Sequence, residues 1–226
     1  MTDEPQAVEA LVDKVLGIAR EAKPRPAPEP AVEDPDVEEQ RRANREAAWR
    51  RLVPPVYGDP TLARFASGDG GRYPEAPADV LADLTAWAEN PTTNLVILGP
   101  VGTGKTFAAW AALRRSYGRR RDVFGIGAVD LLDALRPGGD PTVAERTRSA
   151  EILLVDDLGA HRGTEWTDER LYALIHHRWE QAKPIVLTAN VADGDELLDL
   201  LGERAYSRVT GAAVAVALYG PDRRKL

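Results

Sequence analysis

The chain has 226 residues, enough for one sizeable α/β domain with an appendage and short of two full domains. It contains no cysteine, which excludes disulfides, thiolate zinc sites and thiol chemistry. The formal net charge of -7 sits in residues 1–40, where eleven acids face four bases, so residues 41–226 are formally neutral and open to a nucleic-acid partner.

Residues 3–22 read as an amphipathic helix, with Asp3 as cap, Pro5 in the first turn, and Val8, Leu11, Val12, Val15, Ile18 and Ala19 on one face. The acidic start has no apolar core of a secretion signal. Lys23-Pro-Arg-Pro-Ala-Pro-Glu-Pro30 and the acids that follow favour an extended spacer, giving a docking helix at 1–22 and a Pro-rich acidic linker at 23–40. That helix would either grip another protein, or fold back on its own domain or pair with itself. The body is then 41–226, opening with a charged helix at 37–52 that Pro54 and Pro55 break. Residues 61–73 read as irregular, and a helix is expected over 78–90, after Pro77.

Strands are expected at 94–98, 122–126, 151–155, 184–187 and 212–218, with helices at 105–117, 128–135, 166–181 and 195–201 between them. This alternation calls for an α/β fold with a mainly parallel five-stranded sheet flanked by helices. Leu95-Val-Ile-Leu98 and Ile152-Leu-Leu-Val155 are uniformly apolar, as parallel strands covered on both faces should be. The longest apolar run, Ala212 to Tyr219, is far below the ~20 residues that span a bilayer, so a cytoplasmic protein without membrane contact is expected.

Between the first strand and its helix, Gly99-Pro100-Val101-Gly102-Thr103-Gly104-Lys105-Thr106 matches G-x-x-x-x-G-K-[ST] in full. Such a loop turns backbone amides toward one anion at a helix N-terminus, with Lys105 on the β/γ-phosphates of ATP and the Thr106 hydroxyl on Mg²⁺. Ile152-Leu-Leu-Val-Asp156-Asp157 delivers two carboxylates at the end of an apolar strand, where α/β sheets place ligands. Asp156 suits Mg²⁺, and Asp157 the attacking water. Asn190, ending Ile185-Val-Leu-Thr-Ala-Asn190, either orients that water or forms a turn. The basic run Arg114, Arg115, Arg119, Arg120 and Arg121 complements a helix C-terminus before it argues for DNA. His161, His176 and His177 show no ligand spacing, so no metal beyond Mg²⁺ is expected.

Together, the phosphate loop, Leu154-Val-Asp-Asp-Leu-Gly159, Thr164-Glu-Trp-Thr-Asp-Glu-Arg-Leu-Tyr172, Leu187-Thr-Ala-Asn190 and Leu201-Gly-Glu-Arg-Ala-Tyr-Ser-Arg208 resemble the DnaC/DnaI/IstB group of AAA+ ATPases, from about Val53 onward. The resemblance implies an AAA+ core and an ATPase that loads a replicative helicase onto single-stranded DNA, or one that assists a transposase. It implies a first-sensor role for Asn190, an arginine finger at Arg208 supplied to a neighbour in a homo-oligomer, and a second sensor at Arg223, with Arg224 the alternative. The replicative helicase would be held through residues 1–22. Three departures stand out: Asp157 replaces the more common Glu, the N-terminal partner region is short, and no substantial C-terminal lid follows residue 220. An adaptor that uses nucleotide as an assembly switch, with negligible turnover, is the rival from another class.

Overall fold

The computed structural model describes residues 35–71, 75–159, 163–220 and 222. The docking helix at 1–22, most of the linker, His161, Arg223 and Arg224 lie outside the described residues. Contacts divide the chain between Asn44 and Arg45, and the account below concerns the body from Arg45 onward. The first helix, α1 (Pro35–Leu52), begins within the stretch read as linker, because Pro35 fits a first turn and Asp36 and Glu38 meet the helix dipole there.

After α1 come a 3₁₀ turn (Pro55–Tyr57), α2 (Leu62–Ala66) and α3 (Ala78–Glu89). The residues read as irregular thus hold a short helix, whose first turn is capped by the Thr61 hydroxyl accepting from Arg64 N. The core follows as β1 (Leu95–Leu98), α4 (Lys105–Gly118), β2 (Val123–Gly127), α5 (Ala128–Ala134), α6 (Pro141–Ser149), β3 (Ile152–Leu158), α7 (Glu165–Glu180), β4 (Ile185–Ala189), α8 (Gly194–Thr210) and β5 (Val214–Ala217). Helix α6 was not expected, yet Asp140 caps it and Pro141 opens it, a start signal in the sequence itself. Helix α8 runs well past the expected residue 201, bending at Gly202, where φ is 71°.

The five strands form one parallel sheet in the order β2-β3-β4-β1-β5. Alternate residues divide the core between its two faces. Leu95, Ile97, Ile152, Leu154 and Val186 pack under α1, α3 and α4, whereas Val96, Leu98, Leu153, Val155, Ile185 and Leu187 pack under α5, α7 and α8. In α4, Ala108, Ala109, Ala111 and Ala112 are fully buried, and their small side chains let this helix pass close between the sheet and the helices above it. Trp49 of α1 fills the space beyond, edge-on to Trp110 with ring centroids 5.9 Å apart.

At the N-terminal ends of the strands, a single cation joins three elements. Arg178 is fully buried on α7 and donates to the carbonyls of Thr147 and Ala150 at 2.9 and 3.0 Å, and to those of Glu151 and Pro184 at 3.0 and 2.9 Å. These are the last carbonyls of α6 and the entries to β3 and β4, of which Pro184 O also accepts from Leu153 N at 3.3 Å. Burial lowers this guanidinium to about 10. Arg178→Ala should therefore orphan several buried carbonyls and cost about 3 kcal/mol or more, roughly 10 °C in Tm. Arg178→Lys should fall nearly as far, since one ammonium cannot span the same fork; a melting curve for either variant that overlays the wild type would contradict this role.

Candidate nucleotide-binding site

The phosphate loop leaves β1 and enters α4 at the C-terminal edge of the sheet. Gly99 has φ 139°, and a Cβ there would lie 2.0 Å from the Leu218 carbonyl oxygen, so the loop passes too close to the exit of β5 for any side chain. Gly102 has φ 82°, and its Cβ would meet the Asp222 carboxylate at 1.9 Å. The loop is closed internally: Thr103 Oγ1 donates to Pro100 O at 2.9 Å, and Gly99 N donates to Val191 O at 3.1 Å. Lys105 is buried, and its ammonium donates to Pro100 O at 2.8 Å and Asn190 Oδ1 at 2.6 Å.

Strands β3 and β4 deliver the acids. Their register shifts between Val155 and Leu158, a bulge that turns Asp156 inward and leaves Asp157 outside, with φ 57°. The Thr188 hydroxyl occupies the gap. It donates to Asp156 Oδ1 at 2.6 Å and accepts from Asp157 N at 2.8 Å, fixing one carboxylate and the backbone of the next acid from the neighbouring strand. Asn190, two residues further on, donates from Nδ2 to Asp157 Oδ1. Thr106 also bonds Asp156. Burial pushes the Asp156 carboxyl up from its ordinary value of 3.8, and the adjacent Asp157 adds to this; the Thr188 and Thr106 hydroxyls and the Lys105 charge oppose it.

Thus Lys105, Thr106, Asp156, Asp157 and Asn190 meet in one cavity of about 530 Å³, together with Val101, Gly102 and Gly104 of the loop. Val56, Tyr57, Phe65 and Phe107 line the remaining wall, an apolar surface fit for a planar ring, with Arg64 paired to Asp69 at 2.6 Å beside them. Two contributions escaped the sequence reading. Thr188 had a signal, a hydroxyl in an otherwise apolar buried strand; the wall from 56 to 69 had none, because its role depends on tertiary folding. Asp156 and the Thr106 hydroxyl share one small space and are hard oxygen donors, which fits Mg²⁺ completed by phosphate oxygens. Among the described residues no cluster of three or more acids and histidines would hold a metal alone.

Arg208 is not part of this cavity. Asn94, just before β1, donates to the carbonyls of Arg208 and Val209 at 3.1 and 2.9 Å, which places Arg208 at the opposite end of the strands. The basic run at the end of α4 and just beyond it is largely neutralised: Arg114 pairs with Glu46, Arg115 and Arg119 with Glu89, and Arg121 with Glu151.

Comparison with known proteins agrees with this arrangement. Residues 60–201 match the family described as IstB-like ATP binding protein. The chain belongs to this family. An IstB-like relative, an ATP-binding protein in an insertion sequence of Mycobacterium tuberculosis, is 32% identical over 172 residues, covering 72% of this chain and 68% of the relative. The chromosomal replication initiator protein DnaA of Synechococcus sp. is 32% identical over 168 residues, 72% of this chain but 35% of DnaA, so the chain spans about a third of that relative's length. Among solved structures, the DnaC helicase loader superposes with a TM-score of 0.63 at 21% identity, covering 74% of this chain and all of DnaC. DnaI gives 0.62 at 18%, covering 78% and 99%. AMPPCP-bound DnaA from Aquifex aeolicus gives 0.58 at 25%, covering 77% and 53%. The sheet and its helices are accordingly an AAA+ P-loop core, and the IstB-like body is a nucleotide-binding one.

The raised Asp156 carboxyl has a thermodynamic consequence. The folded state holds this proton more tightly than the unfolded state does, so stability falls as pH rises from 3.8 through the raised value, and the cost is complete above it. Asp156→Asn should therefore raise the Tm of nucleotide-free protein at pH 7, with the gap narrowing toward acid; a variant less stable than wild type at pH 7 would contradict it.

Proposed function

We propose that this IstB-like protein is a Mg²⁺-dependent ATPase whose site is completed by a second subunit, and that it loads a replicative DNA helicase onto single-stranded DNA. One observation carries the ATPase: the continuous chain Pro100 O–Lys105–Asn190–Asp157, joined through the Asp157 amide to Thr188 and Asp156, which draws every predicted catalytic group but Arg208 into one cavity. Amides from Gly99 to Thr106 bind the triphosphate, and Lys105 neutralises its charge. Mg²⁺, when bound, would stabilise charge on the phosphates, and Thr106 and Asp156 would hold it. Asn190 orients Asp157, which takes the proton of the attacking water. Arg223 would sense the nucleotide from the C-terminal tail.

The remaining charge must come from elsewhere. Arg208 sits beyond the far end of β1, so it serves the site of a neighbouring subunit, and ATP drives assembly. Residues 1–22 grip the helicase, and a cytoplasmic location follows from that task. The DnaC and DnaI neighbours, each covered almost entirely by this body, support the loader. A second reading, an ATPase that assists a transposase, is favoured by the family match and by the insertion-sequence relative.

Arg208→Ala should keep wild-type ATP affinity and lose the ATPase that grows with protein concentration, by about 10³-fold; activity persisting at high concentration would refute completion in trans. Affinity capture with the full chain separates the two clients. A hexameric replicative helicase retained, and lost on deletion of residues 1–36, fits the loader, whereas capture of a transposase refutes it.

A further inference from the structure

The surface that holds Arg208 is itself a built feature. Tyr172, His176 and Trp179 follow at i, i+4 and i+7 along one face of α7. Tyr172 and His176 stack with centroids 5.7 Å apart and planes 8° from parallel, and His176 stacks on Trp179 at 6.2 Å and 23°. The Arg208 guanidinium, arriving from α8, lies 5.2 Å from the centre of Tyr172 and 5.3 Å from that of Trp179. Its Nε donates to His176 Nδ1 at 3.2 Å, and Nη1 donates to Arg204 O at 3.0 Å. The other ring nitrogen, Nε2, lies 3.5 Å from Glu180 Oε1. Nη2 makes no hydrogen bond among the described residues.

Packing does not account for this cluster. Trp179 is 58% exposed, so its ring is displayed rather than buried. A long, mobile arginine that must meet a phosphate on another subunit loses much freedom in doing so, unless its own subunit has already restrained it. Two aromatic faces, one ring nitrogen and one carbonyl supply that restraint and leave one nitrogen to reach outward.

We propose that Tyr172, His176 and Trp179 are positioning residues that hold Arg208 ready for the nucleotide site of a second copy of this chain. The proposal rests on the assignment of Arg208 as the group supplied in trans. The rack acts after assembly, on turnover, and leaves the subunit's own cavity untouched.

The experiment measures ATPase against protein concentration, at saturating Mg-ATP, in the full chain. Trp179→Phe keeps a cation–π face, whereas Trp179→Leu keeps an apolar side chain without one. Trp179→Leu should lower the plateau rate roughly five- to tenfold, with unchanged ATP affinity and assembly midpoint, and Trp179→Phe should restore most of it. His176→Ala should behave like Trp179→Leu, and His176→Gln, which keeps an acceptor, should recover part of the rate. A Trp179→Leu plateau equal to wild type overturns the rack, as does a shifted midpoint at an unchanged plateau, which would make the ring a docking contact. The Arg208→Ala variant distinguishes the two levels. If it still shows the concentration-dependent rate, the assignment in trans falls and takes the rack with it; if it is inactive while Trp179→Leu reaches the wild-type plateau, only the rack falls.

Discussion

The site depends on one hydroxyl. Thr188 stands where β3 bulges away from β4, and its oxygen bonds both the Asp156 carboxylate and the Asp157 amide. Without a hydroxyl at this point, the bulged Asp157 amide would lie in the sheet without an acceptor, at a cost of about 1–3 kcal/mol, and Asp156 would keep only its bond to Thr106. With it, the same irregularity becomes useful. Two consecutive acids face different ways, one toward the phosphate loop and one toward the open cavity, although the strand that carries them pairs normally on its other side with β2.

Below that edge the fold is anchored from the opposite direction. Arg178 gathers carbonyls from the end of α6 and the entries to β3 and β4, so the strands that bear Asp156 and Thr188 start from a common point. A guanidinium answered by carbonyls rather than by a carboxylate is unusual for a fully buried charge, and burial depresses its pKa. The planar fork explains the choice, because it spreads several donors over three chain segments. Register between β3 and β4 is thereby set at both ends, by a cation at one and a hydroxyl at the other.

Much of this was legible in the residues. The phosphate loop has a fixed spelling, and the five apolar runs alternating with helical stretches foretold the parallel sheet. Asp156, Asp157 and Asn190 could be placed because strand ends are where such sheets hold ligands. Thr188 and Arg178 could not be placed in the same way, since each acts mainly through partners 27 or more residues away in the chain. Helix α6 hid behind its polarity, with Thr147 its one side chain fully withdrawn from solvent. The aromatic wall from 56 to 69 belongs to short, irregular pieces whose periodicity is too brief to read, so its meaning appeared only once Phe107 was seen beside it.

Lys105 shows what an incoming ligand must undo. Its ammonium is already engaged, held by a loop carbonyl and by the side chain that also steadies Asp157. A phosphate therefore enters by exchange, replacing contacts of equal kind instead of adding to them, and the measured affinity is a small difference between two well-solvated arrangements. The same exchange releases the Asn190 amide oxygen, so occupancy of the loop is felt at the side chain that also holds Asp157.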